Sequence, residues 1–165
     1  MHAIAHSLFA LTAEDLMSRE VLTLSPWMSV PSAVRALTRV RAGGAPVVDE
    51  RGRCVGVFSL SDCSRLVHNA NRHVRPSPPI PGCVCCEWEV VEEGWDNLPA
   101  DAVSRYMASD PVLVLPETPL GEVAQMMTDS HIHRLIVVTE DRRPVGIVSS
   151  TDVLAAVARA AREQA

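Results

Sequence analysis

The chain has 165 residues, of which 47% are hydrophobic, and it carries a formal net charge of −5. That apolar content suffices for one well-buried domain or for two small domains that share a core. The acidic balance argues against nucleic-acid binding through phosphate contacts, and no apolar run approaches the roughly 18 residues of a membrane span. Residues 1–9 lack the basic segment of a signal peptide, and an odd number of cysteines suits a reducing compartment, so we expect a cytoplasmic protein.

The first half of the chain alternates helix and strand signals. Thr12 opens a Ser/Thr-x-x-acid capping box, which predicts a short helix through Met17. Residues 21–24 form a β-prone run, and Ser29 then caps a helix whose first turn tolerates a proline. We expect the glycine pair at 43–44 to end that helix.

A hairpin and a further helix complete this half. Residues 46–48 and 54–58 are predicted strands on either side of a polar turn. Ser61 is expected to cap a last helix that runs from Asp62 to about residue 71.

The second half repeats this order of elements. The predicted elements are a helix ending at Met107, a strand at 112–114, a helix from about 119 to 130, paired strands at 135–138 and 145–148, and an alanine-rich helix starting near Thr151. Together they predict an α/β (α+β) fold of two pseudo-symmetric repeats, each with the order α-β-α-β-β-α, packed sheet to sheet.

A shift of ninety residues superimposes the two halves without a gap. Over residues 17–63 it gives eleven identities, at Met17, Pro26, Thr38, Val47, Val48, Glu50, Arg53, Val55, Gly56, Ser59 and Asp62. Such self-similarity indicates two copies of one structural unit. Both copies end, at 56–62 and 146–152, in the same pattern of Gly, two apolar residues, a hydroxyl residue, any residue, a second hydroxyl residue and Asp.

Residues 72–99 separate the repeats as an insertion of different character. The insertion is rich in proline and carries Cys83, Cys85 and Cys86. With His73 nearby, these thiols are candidate ligands for a soft metal such as zinc, but no second cysteine pair of the usual spacing is present. Buried inert thiols and a redox switch are the alternatives. Because the insertion also holds two tryptophans, we expect it to fold back onto the repeats.

With the repeat and its shared ending in view, the chain resembles a tandem pair of cystathionine-β-synthase (CBS) domains, or Bateman module. The resemblance covers residues 12–71 and 100–163. It implies clefts between the two repeats that hold an adenine nucleotide (AMP, ADP or ATP), with S-adenosylmethionine as a second ligand class. It also implies a homodimer built as a disc of four repeats, and an effector protein that the sequence does not identify. Residues 133–138 look like the nucleotide-binding repeats of the AMP-activated protein kinase regulatory subunit.

The shared ending contains the residue types that a nucleoside phosphate requires. Asp62 and Asp152, at the start of a helix, can each accept hydrogen bonds from both hydroxyls of a ribose. Phosphates need donors, and the backbone N–H groups of a helix start supply an anion cradle. The hydroxyl residues expected beside it are Ser59, Ser61, Ser149 and Thr151.

Further contacts differ between the two repeats. His133 and Arg134 would donate to phosphate, the arginine in bidentate form. The matching positions in the first repeat are the glycines at 43–44, so the site at Asp152 is predicted to be the better phosphate site. Adenine needs an apolar slot, for which the candidate residues are Thr23, Ala45, Pro46, Leu113 and Ile136.

These features predict a non-catalytic sensor that binds an adenine nucleotide and signals by a conformational shift. We do not expect an enzyme, because no pairing of a nucleophile with a base and no Walker-type loop stands out. The alternative hypothesis is a dimeric scaffold that responds to metal or redox state through the thiols of Cys83, Cys85 and Cys86.

Overall fold

The structure, a computed structural model, describes residues 8, 10–63 and 98–162. The predictions for the insertion, including those for Cys83, Cys85, Cys86 and His73, therefore lie outside the described residues, apart from Leu98 and Pro99. None of the helices in the described ranges is long and apolar enough to cross a membrane.

The described elements follow the predicted order. They are α1 (Ala13–Leu16), α2 (Val30–Arg39), β1 (Gly44–Val48), β2 (Cys54–Ser59), a 3-10 helix (Val103–Arg105), β3 (Leu113–Val114), α3 (Leu120–Asp129), β4 (Arg134–Val138), β5 (Pro144–Ser149) and α4 (Ser150–Arg162). Residues 60–63 are also helical, and the remainder of the helix predicted to reach residue 71 lies outside the described residues. The mixed helix and strand content confirms the α+β class.

These elements form two compact units. One takes the described residues up to Val21, the segment Glu50–Cys54 and the chain from Asp110 onward, and we call it the Asp152 unit. The other takes Leu22–Asp49 and the described residues from Val55 to Ser109, and we call it the Asp62 unit. Each unit therefore combines parts of both sequence repeats.

The Asp152 unit is built on a three-stranded sheet with the order β3-β4-β5. Strand β3 runs parallel to β4, with Leu113 opposite Ile136, and β5 runs antiparallel to β4. The apolar side chains of the two long strands and of α3 form its core. The fully or almost fully buried members are Ala13, Val114, Val123, Met127, Leu135, Val137 and Val148.

The Asp62 unit has a smaller sheet, in which β1 pairs with β2. Phe58 of β2 is fully buried and packs in one cluster with residues of α2 and with Leu98. The predicted strand at 21–24 is shorter than expected, since only Leu24 forms a bridge, to Val47. The chain turns immediately afterwards, at residues 26–27, which limits the pairing to one residue.

The predicted helix stop at the glycine pair is wrong, because α2 ends four residues earlier, at Arg39. Arg41 adopts the left-handed conformation (φ 54°). The N–H of Ala42 donates to the carbonyl of Leu37 (2.9 Å) and that of Arg41 to Thr38 (3.0 Å), which is the Schellman arrangement. His131 (φ 52°) ends α3 in the same way, so both repeats stop this helix with a charged or polar residue instead of glycine.

Gly44 has a different role, as the first residue of β1. A Cβ atom there would lie 3.1 Å from the carbonyl oxygen of Phe58 and 3.1 Å from Cβ of Ser59. Such contacts are tighter than ordinary packing, so the close approach of the two strands favours glycine at this position.

Each repeat contributes its leading segment to the other repeat's sheet. Ser18, just after α1, exchanges two backbone hydrogen bonds with Ile147 of β5 (2.9 and 3.0 Å). Ala108, just after the 3-10 helix, exchanges two with Val57 of β2 (2.9 Å each). The segments match each other under the ninety-residue shift, so the exchange is reciprocal.

Helix α1 begins with the predicted capping box. The N–H of Thr12 donates to Oδ2 of Asp15 (2.9 Å), and the Thr12 hydroxyl donates to the same oxygen (3.0 Å). These bonds hold the pKa of Asp15 below its usual value, because they stabilise the carboxylate. Their contribution to stability is therefore present above the ordinary pKa of an aspartate and is lost as the pH falls through the lowered value.

The two hairpin turns also match under the shift, but with different residues in the left-handed position. That position is Gly52 (φ 77°) in the first repeat and Arg142 (φ 60°) in the second. The N–H of Arg142 donates to the carbonyl of Thr139 (2.8 Å), which closes the turn. Glycine is the residue that this conformation favours.

We predict that Arg142→Gly stabilises the protein by about 0.5–1 kcal/mol, because the substitution relieves the left-handed conformation of a residue with a Cβ atom. Urea denaturation followed by circular dichroism measures the change. Gly52→Ala is the reciprocal control and should lower the unfolding midpoint. A lower midpoint for Arg142→Gly would contradict the assignment of strain to this residue.

Candidate functional site

Asp152 lies in the first turn of α4 and is bonded back to Ser149, the residue before the helix. Ser149 donates to Oδ2 of Asp152 through its N–H (2.7 Å) and its hydroxyl (2.5 Å). The N–H of Asp152 donates in return to the Ser149 hydroxyl oxygen (3.3 Å). This reciprocal capping orients the carboxylate, and we call residues 149–152 the Asp152 turn.

The second carboxylate oxygen of Asp152 is not used by this capping. Within residues 10–63 and 98–162, no group donates a hydrogen bond to Oδ1 of Asp152. The side chain is only half-buried, and Thr151 beside it is exposed, with its hydroxyl oxygen 3.2 Å from that of Ser149. The turn therefore offers an oriented acceptor to a ligand hydroxyl.

The sheet brings His133 and Arg134 to the same edge. Arg134, the first residue of β4, pairs with Ser149, the last residue of β5. The N–H of Ser150 donates to the carbonyl of His133 (2.9 Å), so the backbone of His133 lies at the start of α4. Both side chains are exposed. Five of the predicted site residues thus meet at one end of the Asp152 unit.

The predicted cradle of free N–H groups is only partly available. Of the first three N–H groups of α4, that of Ser150 donates to His133 and that of Asp152 donates to Ser149. Anion binding at this turn would therefore depend more on the side chains of Arg134, His133 and Thr151 than the sequence suggested.

In the first repeat, residues 59–62 form the corresponding turn, which we call the Asp62 turn. Ser59 donates to Oδ2 of Asp62 through its N–H (2.8 Å) and its hydroxyl (2.7 Å). Ser61 does not cap the helix as predicted, because the helical residues begin at Leu60 and the capping serine is Ser59. The neighbouring strand begins at Gly44, so no cationic side chain stands where Arg134 stands in the other unit.

The residues predicted to form the adenine slot are mostly covered. Ala45 is 2% exposed and Ile136 6% exposed, and Pro46 is fully buried. Leu113 is half-buried in β3 and Thr23 is exposed beside Leu24. Because most of these side chains are buried, a ligand would contact their backbone groups more than their side chains.

The described cysteines do not form a reactive site. Cys54 and Cys63 are buried thiols, and neither forms a disulfide with the other. Burial, with a smaller contribution from the charge of Asp62, raises the pKa of Cys63 to about 12. A thiol with this pKa stays protonated at neutral pH and is a poor nucleophile. In the described part of the chain, no group of three His, Cys, Asp or Glu side chains is placed to hold a metal ion.

A groove of about 410 Å³ lies elsewhere in the Asp152 unit, at the carboxyl ends of the parallel strands β3 and β4. Its lining includes Asp110, Leu113, Leu115, Val138, Glu140 and Arg142. Only Leu113 among these was a predicted site residue. Sequence reasoning missed the groove because its residues follow no spacing pattern and come together only when β3 pairs with β4.

The relatives found by comparison include a protein with a much longer chain. The chain is 30% identical over 143 residues to the A-adding tRNA nucleotidyltransferase of Geobacter sulfurreducens. This match covers 87% of the chain but only 13% of that enzyme. The likeness therefore concerns a small part of the relative's length.

Several solved structures share the fold, among them two whose ligands are known. CBSX2 of Arabidopsis thaliana in complex with AMP matches with a TM-score of 0.69 and 23% identity, covering 90% of this chain and 97% of that one. The CBS domain pair of protein MJ0100, in complex with 5′-methylthioadenosine and S-adenosyl-L-methionine, matches with a TM-score of 0.65 and 21% identity, covering 88% and 98%.

The family itself is shown by sequence. The sequence model of the CBS domain matches the chain twice, at residues 13–69 and 103–159. These two ranges cover more than half of the chain and carry the two capped aspartate turns in equivalent positions. The chain therefore belongs to the CBS domain family.

Proposed function

We propose that the chain is a non-catalytic regulatory module that binds an adenine nucleotide at the Asp152 turn. The observation that carries the proposal is the half-used carboxylate of Asp152: Oδ2 is held by Ser149, while Oδ1 has no donor among the described residues. Two solved relatives of the same fold hold adenosine derivatives, AMP in one and 5′-methylthioadenosine with S-adenosyl-L-methionine in the other, which supports this ligand class.

The chemistry of the turn suits a nucleoside phosphate. Oδ1 of Asp152 accepts hydrogen bonds from the ribose hydroxyls, and a charged acceptor makes these bonds stronger than neutral ones. The exposed guanidinium of Arg134 and the side chains of His133 and Thr151 then bind the phosphate. The first repeat lacks both cationic partners, so we assign the phosphorylated ligand to the Asp152 turn and not to the Asp62 turn.

Signalling then follows from population shift. A ligand biases two conformations only by the difference in its affinity for them. Micromolar binding corresponds to about −8 kcal/mol, so a modest preference for one conformation is sufficient. The effector that responds to this shift is not identified by the chain.

Isothermal titration calorimetry with AMP, ADP, ATP and S-adenosylmethionine tests the proposed function. We expect saturable binding of at least one phosphorylated nucleotide. Reversing the charge in Arg134→Glu should weaken phosphorylated ligands more than 5′-methylthioadenosine, which has no phosphate. If none of the four ligands binds, the proposed function is wrong.

We also propose that the chain forms a homodimer through α4. Leu154 is 66% exposed and Val157 46% exposed. With Ala158 and Ala161 they follow the i, i+3, i+4, i+7 spacing of one helix face, whereas Ala156 and Ala160 are buried on another. Large exposed apolar side chains in one stripe are typical of an interface, and small residues allow helices to approach closely.

Sedimentation equilibrium checks this prediction. The unmodified chain should sediment as a dimer, and Leu154→Glu with Val157→Glu should shift it towards monomer by at least about tenfold in dissociation constant. Ala155→Glu adds a negative charge to α4 outside the stripe and serves as the control. A monomeric unmodified chain would exclude the interface.

A further inference from the structure

Arg142 combines two features that set it apart from its counterpart in the first repeat. It holds a left-handed conformation where the counterpart is Gly52, and it lines the groove at the carboxyl ends of β3 and β4. The backbone of Arg142 is bonded within its unit, since its carbonyl accepts the N–H of Cys54 (2.7 Å). The turn needs no side chain at this position, because the equivalent turn is made with glycine.

The groove brings three charged side chains together without pairing them. Asp110, Glu140 and Arg142 are all exposed, and none forms a side-chain hydrogen bond or an ion pair with another residue in the described ranges. Of the apolar residues in the lining, Leu115 is 37% exposed and Leu113 is half-buried. Two acidic residues, one arginine and several apolar residues therefore line one open groove of about 410 Å³.

We propose that this groove binds a small zwitterion with an apolar body, namely a free α-amino acid with a branched aliphatic side chain. The ligand carboxylate pairs with the guanidinium of Arg142, and the ligand ammonium group pairs with Asp110 and Glu140. The aliphatic side chain of the ligand covers Leu115 and the half-buried Leu113. The carboxyl ends of parallel strands are a common place for small-molecule sites in sheets with helices.

This site goes beyond the nucleotide proposal and is independent of it. Except for Leu113, its lining contains none of the residues assigned to the nucleotide, and Arg134 and Ser149 lie at the opposite end of β4 from Val138. Because the groove is open, we expect weak, millimolar binding, as is usual for ligands of few atoms.

Ligand-detected NMR titration of the full chain with L-leucine tests the proposal. We expect saturable binding, and at least about tenfold weaker binding of leucinamide, which lacks the carboxylate, and of 4-methylpentanoate, which lacks the ammonium group. Arg142→Gly should abolish leucine binding while unfolding at a higher urea concentration, so a loss cannot be ascribed to misfolding. Asp110→Asn should weaken binding of leucine but not of 4-methylpentanoate.

Two controls separate this site from its surroundings. Arg143→Ala removes the adjacent exposed arginine, which does not line the groove. Asp152→Asn alters the Asp152 turn, where we propose that the nucleotide binds. Both variants should leave leucine binding unchanged. The proposal is overturned by an absence of saturable leucine binding, by leucinamide or 4-methylpentanoate binding as tightly as leucine, or by unchanged affinity in Arg142→Gly. Binding of a peptide that carries leucine internally, with equal affinity, would also overturn it.

Discussion

Replacing Asp152 by alanine should weaken AMP binding by about 10- to 100-fold, which corresponds to about 1.5–3 kcal/mol. In the proposed function, Oδ1 of Asp152 accepts the hydrogen bonds of the ribose hydroxyls, so the alanine variant would lose this charged acceptor. Titration calorimetry of the variant against the unmodified chain measures the change directly.

The chain offers a matched control for the capping role of the same side chain. Asp15 also accepts two hydrogen bonds from the residue three positions before it, in a capping box of the same unit. Asp15→Ala should therefore reduce stability by about 0.5–2 kcal/mol with unchanged affinity for AMP. Asp62→Ala tests the second turn, and we expect a smaller effect on AMP. Equal loss of affinity in Asp15→Ala would show that Asp152 acts only through helix stability.

Introducing alanine at Gly146 should destabilise the protein by about 1–3 kcal/mol, the usual cost of overpacking. A Cβ atom at Gly146 would lie 2.7 Å from Cγ of Met17 and 2.9 Å from its Cβ, distances that side chains essentially never show. The side chain of Met17 would have to leave its place against β5, and with it the bonds of Ser18 to Ile147 would be strained. Chemical denaturation reports the free energy of unfolding.

Two further variants make the prediction specific. Met17→Ala should restore room, so the double variant Met17→Ala with Gly146→Ala should lose less than the sum of the single losses. Gly121→Ala is the control without a steric clash, because nothing lies within 4 Å of the added atom, and it should stabilise the helix by about 0.5–1 kcal/mol. Additive losses in the double variant would mean that Met17 and Gly146 are not coupled.

The interior of each repeat could be predicted because local signals act over a few residues. The capping box at Thr12, the periodicity of α2 and the β-branched runs of β4 and β5 all specify structure through near neighbours. The prediction of where α2 ends was wrong, although this end is also set by nearby residues. Helix α2 ends where Arg41 adopts the left-handed conformation and two hydrogen bonds form a Schellman motif. The glycine pair does not end the helix; Gly44 instead allows the close approach of β1 to β2.

The sequence predicted which residues meet at the candidate site better than it predicted the hydrogen bonds that they form. Ser149, Asp152 and Arg134 meet because β4 and β5 pair in the register that the apolar pattern implies. The use of Oδ2 of Asp152 and of two helix N–H groups for internal bonds could not be read from the residues, because each bond depends on distances that only the folded turn defines.

The order of elements, the twofold repeat and the position of each capped aspartate were determined by the sequence alone, since they follow from patterns within a few residues and from one period of ninety. Which sheet receives each leading segment was decided only by the tertiary structure. The two repeats offer the same contacts, Met17 against Gly146 and Met107 against Gly56. The sequence therefore does not show whether a leading segment pairs with the sheet of its own repeat or with that of the other repeat. Pairing distant parts of the chain depends on the closure of long loops and on side-chain fit, and neither is encoded in any short stretch of residues.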